Sequence, residues 1–373
     1  MQTYRPNGIK SSTMMSYENI VIDHFRGIEH LEVSGLRHVN VFLGQNNGGK
    51  TTLLESLFLL SGMSNPLLPE RINAFRNKGN SSFDELKFLF HKVKLDVHPT
   101  FQAVMDNQVR RNLSLSIVNK AQQVDDLHRA NQMGASSSDG AKGETCMVLN
   151  YETRKGTQKP IRQTSEFCVI GNGQFRQTVN AAYREGVTAR FLSSYSETTV
   201  LLEEFSTLVK QNRKEEMLSL VKLFDNRITN IEVLFDGIYV KYQDIDEMLP
   251  LTMCGEGLKK FFNIIVTVAN GKNNILLIDE IDNGVHFSAY NLLWKSLLEL
   301  ADKNGIQLFI TTHSAEVVAS LDTVLHDTET SAALKDEVAV FTIASTAKEG
   351  MQSYRYDADD IRKAIRNHIE LRA

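Results

Sequence analysis

Gly44-Gln45-Asn46-Asn47-Gly48-Gly49-Lys50-Thr51 is the stretch that decides the fold of this chain. It matches a phosphate-binding loop at every fixed position, and it follows the apolar run Val39–Leu43. Residues 51–60 then place apolar side chains on one broad helical face. Glycines let such a loop wrap its backbone N–H groups around phosphate oxygens, and the N-terminus of the next helix faces the same charge. The sequence therefore predicts a buried strand, a loop that binds the phosphates of ATP, and a helix.

Most residues of the loop have a predicted role. Lys50 is expected to bridge the two outer phosphates and to take part in catalysis. The hydroxyl of Thr51 is a predicted ligand of Mg²⁺, whose shell is otherwise filled by phosphate oxygens and water. The remaining predicted nucleotide contacts are Gly44, Asn46, Asn47, Gly48, Gly49 and Thr52.

A second apolar strand ends in two adjacent acids, Asp279 and Glu280. In phosphate-loop enzymes an aspartate at such a strand end holds magnesium, so Asp279 is the second predicted metal ligand. Glu280 is placed to polarise the attacking water as a general base. The next strand ends at His313, which faces the same crevice and is a candidate sensor of the γ-phosphate with a catalytic role.

The pattern of apolar residues predicts an α/β fold in three parts. Residues 1–63 form the first part of the core, 64–190 an inserted helical and antiparallel β subdomain with a mobile loop near 133–143, and 191–373 the rest of the core. The predicted strands cover 20–25, 31–33, 39–43, 113–118, 146–153, 167–175, 228–235, 238–242, 275–278, 308–311 and 338–343. The predicted helices cover 51–60, 199–224, 258–268, 288–302 and 359–371.

Composition sets limits on the class of protein. The chain has 373 residues, of which 42% are apolar, and no apolar stretch has the length that a bilayer requires. A cytoplasmic protein without membrane contact is expected, with its three widely spaced cysteines as reduced thiols. The formal net charge of -4 argues against a nucleic-acid-binding surface over the whole molecule. The basic residues from Arg154 to Arg162 are either a solvated face or a local contact for phosphates.

A glycine turn, Cys254-Gly255-Glu256-Gly257, precedes a helix and stands about twenty residues before the acidic strand, so its helix N-terminus is a second anion site. The order of phosphate loop, insertion, glycine turn, acidic strand and histidine strand resembles the ATP-binding-cassette (ABC) ATPases. This resemblance implies an ABC-type core, a mixed sheet flanked by helices. It also implies that Gly255 and Gly257 contact nucleotide held by a second subunit, so that ATP drives dimerisation or higher homo-oligomerisation.

The resemblance is closest to the SMC, RecF and overcoming-lysogenisation-defect (OLD) proteins, because Phe25-Arg26-Gly27-Ile28 precedes the phosphate loop. More narrowly, the residues from Ile278 to His286 together with Thr311-Thr312-His313-Ser314 resemble the AAA15 type of OLD-like ATPase of anti-phage systems. This implies that Asp282 and Asn283 lie at the subunit boundary.

The chain also departs from the family pattern. Cys254 stands where many cassette ATPases have serine, and Thr252 or backbone N–H groups are possible substitutes. The glutamine loop has several candidates, among them Gln163. His286 is either a packing residue or a functional one.

Two roles for the whole protein are open. Only about sixty residues follow His313, where we expect one strand and one helix, and the insertion lacks sustained heptads, so neither a nuclease domain nor a long coiled coil is predicted. The resemblance then implies an oligomeric sensor or scaffold that controls a separate effector, such as a nuclease or toxin, in anti-phage defence. The alternative is a RecF-like or SMC-like ATP-dependent clamp on DNA, and a nucleotide-binding structural protein with negligible turnover is a third possibility.

Overall fold

A six-stranded sheet forms the middle layer of the molecule and carries the phosphate loop at the carboxyl ends of its parallel strands. The computed structural model describes residues 16–76, 82–120, 144–170, 174–193, 198–327, 332–346 and 348–371. The strands are β1 (Tyr17–Phe25), β2 (Ile28–Ser34), β3 (Val39–Leu43), β4 (Thr100–Met105), β5 (Val109–Lys120), β6 (Glu144–Lys155), β7 (Ile161–Ile170), β8 (Gln174–Thr178), β9 (Ala189–Leu192), β10 (Ile228–Leu234), β11 (Gly237–Tyr242), β12 (Leu249–Pro250), β13 (Ile275–Ile278), β14 (Gln307–Thr311), β15 (Val338–Thr346) and β16 (Gly350–Tyr356). The helices are α1 (Lys50–Ser61), α2 (Leu68–Arg76), α3 (Thr198–Lys210), α4 (Lys214–Phe224), α5 (Glu256–Asn270), α6 (Tyr290–Asn304), α7 (Ala315–Leu325), α8 (Ala332–Asp336) and α9 (Ala358–Arg366).

The middle sheet has the order β16-β15-β3-β14-β13-β9, and all neighbours are parallel except the antiparallel pair of β15 and β16. Every residue of β3, β13 and β14 is buried, because both faces of the sheet are covered. One face packs against α3 to α7 and α9. The other face packs against α1 and a second sheet. This mixed sheet between helices confirms the predicted α/β class.

The second sheet is antiparallel and has the order β2-β1-β4-β5-β6-β7-β8. It combines the two N-terminal strands with the strands predicted in the insertion, since β1 pairs directly with β4. The boundaries at residues 63 and 190 stay a prediction. A third sheet, β10-β11-β12, contains the predicted hairpin around Asp236.

Several sequence predictions need correction. Residues 167–175 do not form one strand, because β7 ends at Ile170 and β8 begins at Gln174. Residues 199–224 form two helices, broken beside Asn212, whose φ of 59° does not fit a helix. After His313 the chain forms α7, α8, β15, β16 and α9 rather than one strand and one helix. The predicted mobile loop near 133–143 lies outside the described residues.

The prediction of reduced thiols is wrong for two cysteines. Cys146 and Cys168 form a disulfide between β6 and β7, whereas Cys254 is a free thiol. The two half-cystines are 22 residues apart in sequence, but the register of the strands places them directly opposite each other. Their spacing alone does not reveal this register. Within the described residues, no helix has the length and apolarity to cross a membrane.

A buried arginine joins the antiparallel sheet to the helix that follows the phosphate loop. Arg111 on β5 donates to the carbonyl oxygen of Leu60 from Nε and Nη2, at 3.1 and 2.8 Å. Leu60 lies in the last turn of α1, where carbonyl groups lack partners within the helix and attract cations. The same guanidinium is 2.5 Å from the carboxylate of Glu185, which also accepts from the backbone N–H of Ser64. Arg111 therefore fixes the C-terminal end of α1.

We expect Arg111→Met to lower the free energy of unfolding by about 3–5 kcal/mol, because it leaves the Glu185 carboxylate and the Leu60 carbonyl without their buried partner. Chemical denaturation measures this change. Arg110→Met is the matched control, since Arg110 is the preceding residue of β5 and is exposed, and its effect should stay within about 0.5 kcal/mol. Equal effects of the two substitutions would contradict a special role for Arg111.

Candidate functional site

The phosphate loop is a strained backbone turn that only particular residues tolerate. Gly44, Asn47 and Gly49 have φ values of 147°, 63° and 85°, in the region that favours glycine and admits asparagine. A Cβ on Gly44 would lie 2.5 Å from the carbonyl oxygen of Ile343 on β15, so a side chain has no room there. Asn46 and Asn47 are exposed at the tip of the loop. The loop has the open, backbone-lined form that the sequence predicts.

Lys50 lies at the centre of this loop. Its Nζ donates to the carbonyl oxygens of Gly44 and Gln45, at 2.8 and 2.9 Å. The side chain is only 9% exposed, and burial lowers its pKa, while the carboxylates of Asp279, Glu280 and Asp282 act in the opposite direction. A phosphate group that enters the loop would therefore contact the ammonium group of Lys50 directly.

Two hydroxyl groups converge on the carboxylate of Asp279. The Oγ1 of Thr51 donates to both carboxylate oxygens, at 3.1 and 3.0 Å, and the Oγ1 of Thr311 donates to Oδ1 at 2.6 Å. The sheet brings them together because β13 and β14 are parallel neighbours that end at the same edge. A hydroxyl and a carboxylate in hydrogen-bond contact are the hard oxygen donors that Mg²⁺ prefers, so these residues fit the predicted metal. Their role as ligands stays a prediction.

Glu280 follows in an unusual backbone conformation, with φ 49°. Its N–H donates to Thr311 Oγ1 at 2.8 Å, and its carbonyl oxygen accepts from Nζ of Lys260. Within the described part of the chain its carboxylate makes no hydrogen bond or ion pair, and it is partly exposed. The acid predicted as general base is therefore held by its backbone, with its side chain available to solvent.

His313 follows β14 and is oriented by Asp282. The Nδ1 of His313 is 3.1 Å from Oδ2 of Asp282, and Thr312 Oγ1 donates to Oδ1 of the same carboxylate at 2.7 Å. Asp282 is buried, whereas the imidazole is 50% exposed. The carboxylate contacts the ring at Nδ1 and so orients it. A histidine held in this way can donate to an anion in front of it.

The glycine turn packs against the loop that follows the acidic strand. A Cβ on Gly257 would lie 2.8 Å from the carbonyl oxygen of Gly284, so the two backbones approach where no side chain fits. Gly255, in contrast, has no atom within 4 Å of the position of a Cβ. No hydrogen bond or ion pair of the described residues links residues 252–257 to the phosphate loop. The turn therefore lies beside the loop that contains Asp282 and Asn283. Gly255 is exposed there.

The side chain of Cys254, the first residue of the glycine turn, contacts the segment before the turn. The thiol of Cys254 is 3.7 Å from the carbonyl oxygen of Pro250, and burial and the neighbouring Tyr242 perturb the thiol, with burial raising its pKa. Thr252, the predicted substitute, is exposed.

Several residues with a role in this site were not assigned from the sequence. Thr311 donates to the carboxylate of Asp279, and Lys260 donates to the carbonyl oxygen of Glu280. Neither Thr311 nor Lys260 had a predicted role. Glu55, one helical turn beyond Thr51, is 1% exposed and forms ion pairs with Nε of Arg26 and of Arg76, at 2.8 and 2.6 Å. Burial lowers the pKa of Arg26 to about 10. A buried acid on α1 is the signal that could have predicted such partners, because buried charges are paired.

These pairs also explain two sequence features. Arg26, from the stretch Phe25-Arg26-Gly27-Ile28, lies in the turn between β1 and β2 and reaches α1 through Glu55. Thr52 is buried and accepts from Nη2 of Arg76 at 3.2 Å. The predicted contact of Thr52 with the nucleotide stays a prediction.

Position bears on two open alternatives. Gln163 lies on β7 of the antiparallel sheet and accepts from Asn180, so it is not at the edge where β9, β13 and β14 end. The exposed His286 accepts from the N–H of Ser288 and begins the short helix Phe287–Ala289. It caps this helix, and its functional role stays a prediction.

The comparisons with known proteins agree with this site. Residues 174–318 match the family AAA_15, described as an AAA ATPase domain, and this range includes the acidic strand and His313. An ATP/GTP phosphatase from Helicobacter pylori is 26% identical over an alignment of 339 residues, which covers 83% of this chain and 88% of that protein. The DNA replication and repair protein RecF from Listeria welshimeri is 49% identical over 47 residues, 13% of each chain.

Two solved structures of SMC heads are also similar. The SMC head bound to the C-winged helix domain of ScpA covers 93% of this chain and 99% of its own, with 9% identity and a TM-score of 0.49. The SMC head domain from Thermotoga maritima covers 91% and 98%, with 10% identity and a TM-score of 0.40. The family match, the H. pylori relative and the geometry of the site together support ATPase activity for this chain.

Proposed function

We propose that this chain is an ATP-hydrolysing switch in which two copies close over the nucleotide. The observation that carries the proposal is the convergence of Thr51 and Thr311 on Asp279, next to Glu280, whose carboxylate makes no hydrogen bond or ion pair with the described residues. This arrangement joins the phosphate loop to the two strand ends that phosphoryl transfer requires.

Each residue then has a task in hydrolysis. The loop N–H groups and Lys50 bind the phosphates, and Thr51 and Asp279 would hold Mg²⁺, which neutralises charge that develops on the phosphate oxygens. Glu280 accepts a proton from the attacking water, as a carboxylate can once it lies within hydrogen-bond reach. His313, oriented by Asp282, contacts the terminal phosphate.

The glycine turn supports the closing of two copies. Its helix, α5, begins at Glu256 with free N–H groups, which form an anion site. Among the described residues the turn makes no hydrogen bond to the phosphate loop of its own chain, and we expect the anion that it binds to be held by a second copy. Gly255 offers the open surface for that contact.

We expect Glu280→Gln to lower ATP turnover by on the order of a hundredfold or more, since it removes the general base. ATP binding should persist, and the variant should gain mass in sedimentation with ATP and Mg²⁺. Lys50→Ala is the companion variant and should lose nucleotide binding instead. Unchanged turnover in Glu280→Gln would refute the role of this residue, and a constant monomer mass would refute nucleotide-driven closure.

A pair of glycine substitutions tests the contact between copies. Gly255→Ala meets no atom of its own chain, so we expect an unchanged melting temperature but a loss of turnover and of ATP-dependent mass. Gly237→Ala, at another open glycine in the β10–β11 hairpin, should change neither. Full turnover in Gly255→Ala would show that the turn does not contact the nucleotide.

A role on DNA is favoured by a basic patch at one end of the antiparallel sheet. Arg110 and Arg154 stand directly opposite each other on β5 and β6, and both are exposed. Like charges in this position destabilise a sheet unless an anion lies between them. Lys155 and Lys159 are exposed at the same end, and the structure describes no partner for the side chains of Arg110, Lys155 or Lys159. Arg162 is already paired with Glu152, at 2.6 Å.

We therefore favour the RecF-like or SMC-like clamp as the role of the switch, with the phosphate backbone of DNA lying across this patch. The short match to RecF supports it. The alternative, control of a separate effector in anti-phage defence, stays a prediction, since none of the relatives named above has a description that refers to phage defence.

The double substitution Arg110→Glu and Arg154→Glu should weaken binding to a labelled DNA duplex and reduce the slope of log K against log salt by about 0.9 for each phosphate that is no longer neutralised. Fluorescence anisotropy over a series of salt concentrations measures both. Arg366→Glu, an exposed charge reversal on α9, is the control. No binding of DNA by the wild-type protein with ATP would favour the effector role.

A further inference from the structure

The backbone of Glu280 is held in a conformation that it would not adopt alone. A φ of 49° places it in the left-handed region, which is unfavourable for a residue with a Cβ. Such a conformation persists only where the surroundings fix it. Three hydrogen bonds do so here: Thr311 accepts from the N–H of Glu280, and both Lys260 Nζ and the N–H of Asn283 donate to its carbonyl oxygen.

Lys260 reaches this carbonyl from a different element. It lies on α5, about one turn after the glycine turn, and its Nζ is also 3.5 Å from the carbonyl oxygen of Asp279. Burial lowers the pKa of Lys260, and the charges of Asp282, Glu280 and Asp279 oppose that shift. A partly buried ammonium is thus directed at the backbone between the two acids of the site.

The contact of Lys260 with Glu280 connects the acidic strand to α5. This helix starts at the glycine turn, which in the proposed function faces the second copy. Gly257 is packed on Gly284, so the beginning of α5 and the loop after Glu280 are in backbone contact at one point. Lys260 adds a second connection, which ends on Glu280 itself. Any displacement of α5 is therefore transmitted to the backbone that carries the catalytic carboxylate.

We propose that Lys260 is a positioning residue, which orients the carboxylate of Glu280 by holding its backbone. Through α5 it makes this orientation depend on the position of the glycine turn. This rests on the proposed function, in which Glu280 is the general base. Loss of the ammonium would let the backbone of Glu280 relax. A displacement of about 1 Å at a reacting group costs on the order of a hundredfold in rate.

The experiment compares Lys260→Met, which keeps the apolar stem, with Lys260→Arg, which keeps a cationic donor. We expect Lys260→Met to lower kcat by on the order of ten- to a hundredfold, with the Kd for ATP and the melting temperature near those of the wild type. Lys260→Arg should recover part of the rate. Lys222→Met, which removes an exposed ammonium on α4, is the control and should leave kcat unchanged.

A double variant separates positioning from an independent effect. Because Lys260 acts through Glu280, Lys260→Met combined with Glu280→Gln should be no slower than Glu280→Gln alone. Multiplied losses would overturn the proposal, as would a Lys260→Met variant that loses ATP binding or melts early.

The roles of Glu280 and Lys260 can be tested separately. If Glu280→Gln is inactive but Lys260→Met has full kcat, the positioning role is wrong and the general base stands. If Glu280→Gln keeps its turnover, the general base is wrong and the role of Lys260 falls with it.

Discussion

The parallel alignment of β3, β14 and β13 is the constraint on which the rest of the site depends. Parallel neighbours end at the same edge, so the phosphate loop, the residues after Thr311 and the two acids come together without any long side chain spanning the distance. Short hydrogen bonds from hydroxyl groups are then sufficient to join them. The same edge explains why the N–H of Thr312 bonds to the carbonyl of Phe42 and that of Ile281 to the carbonyl of Thr311.

The elements that carry this edge could be predicted because their sequence signals are local. The run Val39–Leu43 and the loop after it match the structure residue for residue, and α1 differs by one residue at each end. The acids and the histidine were placed at strand ends for the same reason. The polar strand β16 was missed, because none of its residues is buried and their exposure does not alternate along the strand.

The contacts that complete the site join residues that are far apart in sequence, and they could not be predicted. Lys260 lies 20 residues from Glu280, and Arg76 lies 21 residues from Glu55, with nothing in either spacing to pair them. The disulfide between Cys146 and Cys168 depends on strand register, which no local pattern determines. Buried Gln307, whose side chain bonds to the backbone of Tyr17 and Arg37, likewise joins parts of the chain that are 290 and 270 residues apart.

The charged side chains around the phosphate loop affect how a nucleotide is recruited to the site. Lys50, Lys260, Arg26 and Arg76 are matched in number by Asp279, Glu280, Asp282 and Glu55. The formal charges of these eight side chains sum to zero, so as a set they would not draw in a bare triphosphate from a distance. Recruitment of a nucleotide would then depend on the loop N–H groups, on short-range fit and on the ion that accompanies the nucleotide more than on long-range steering by these side chains.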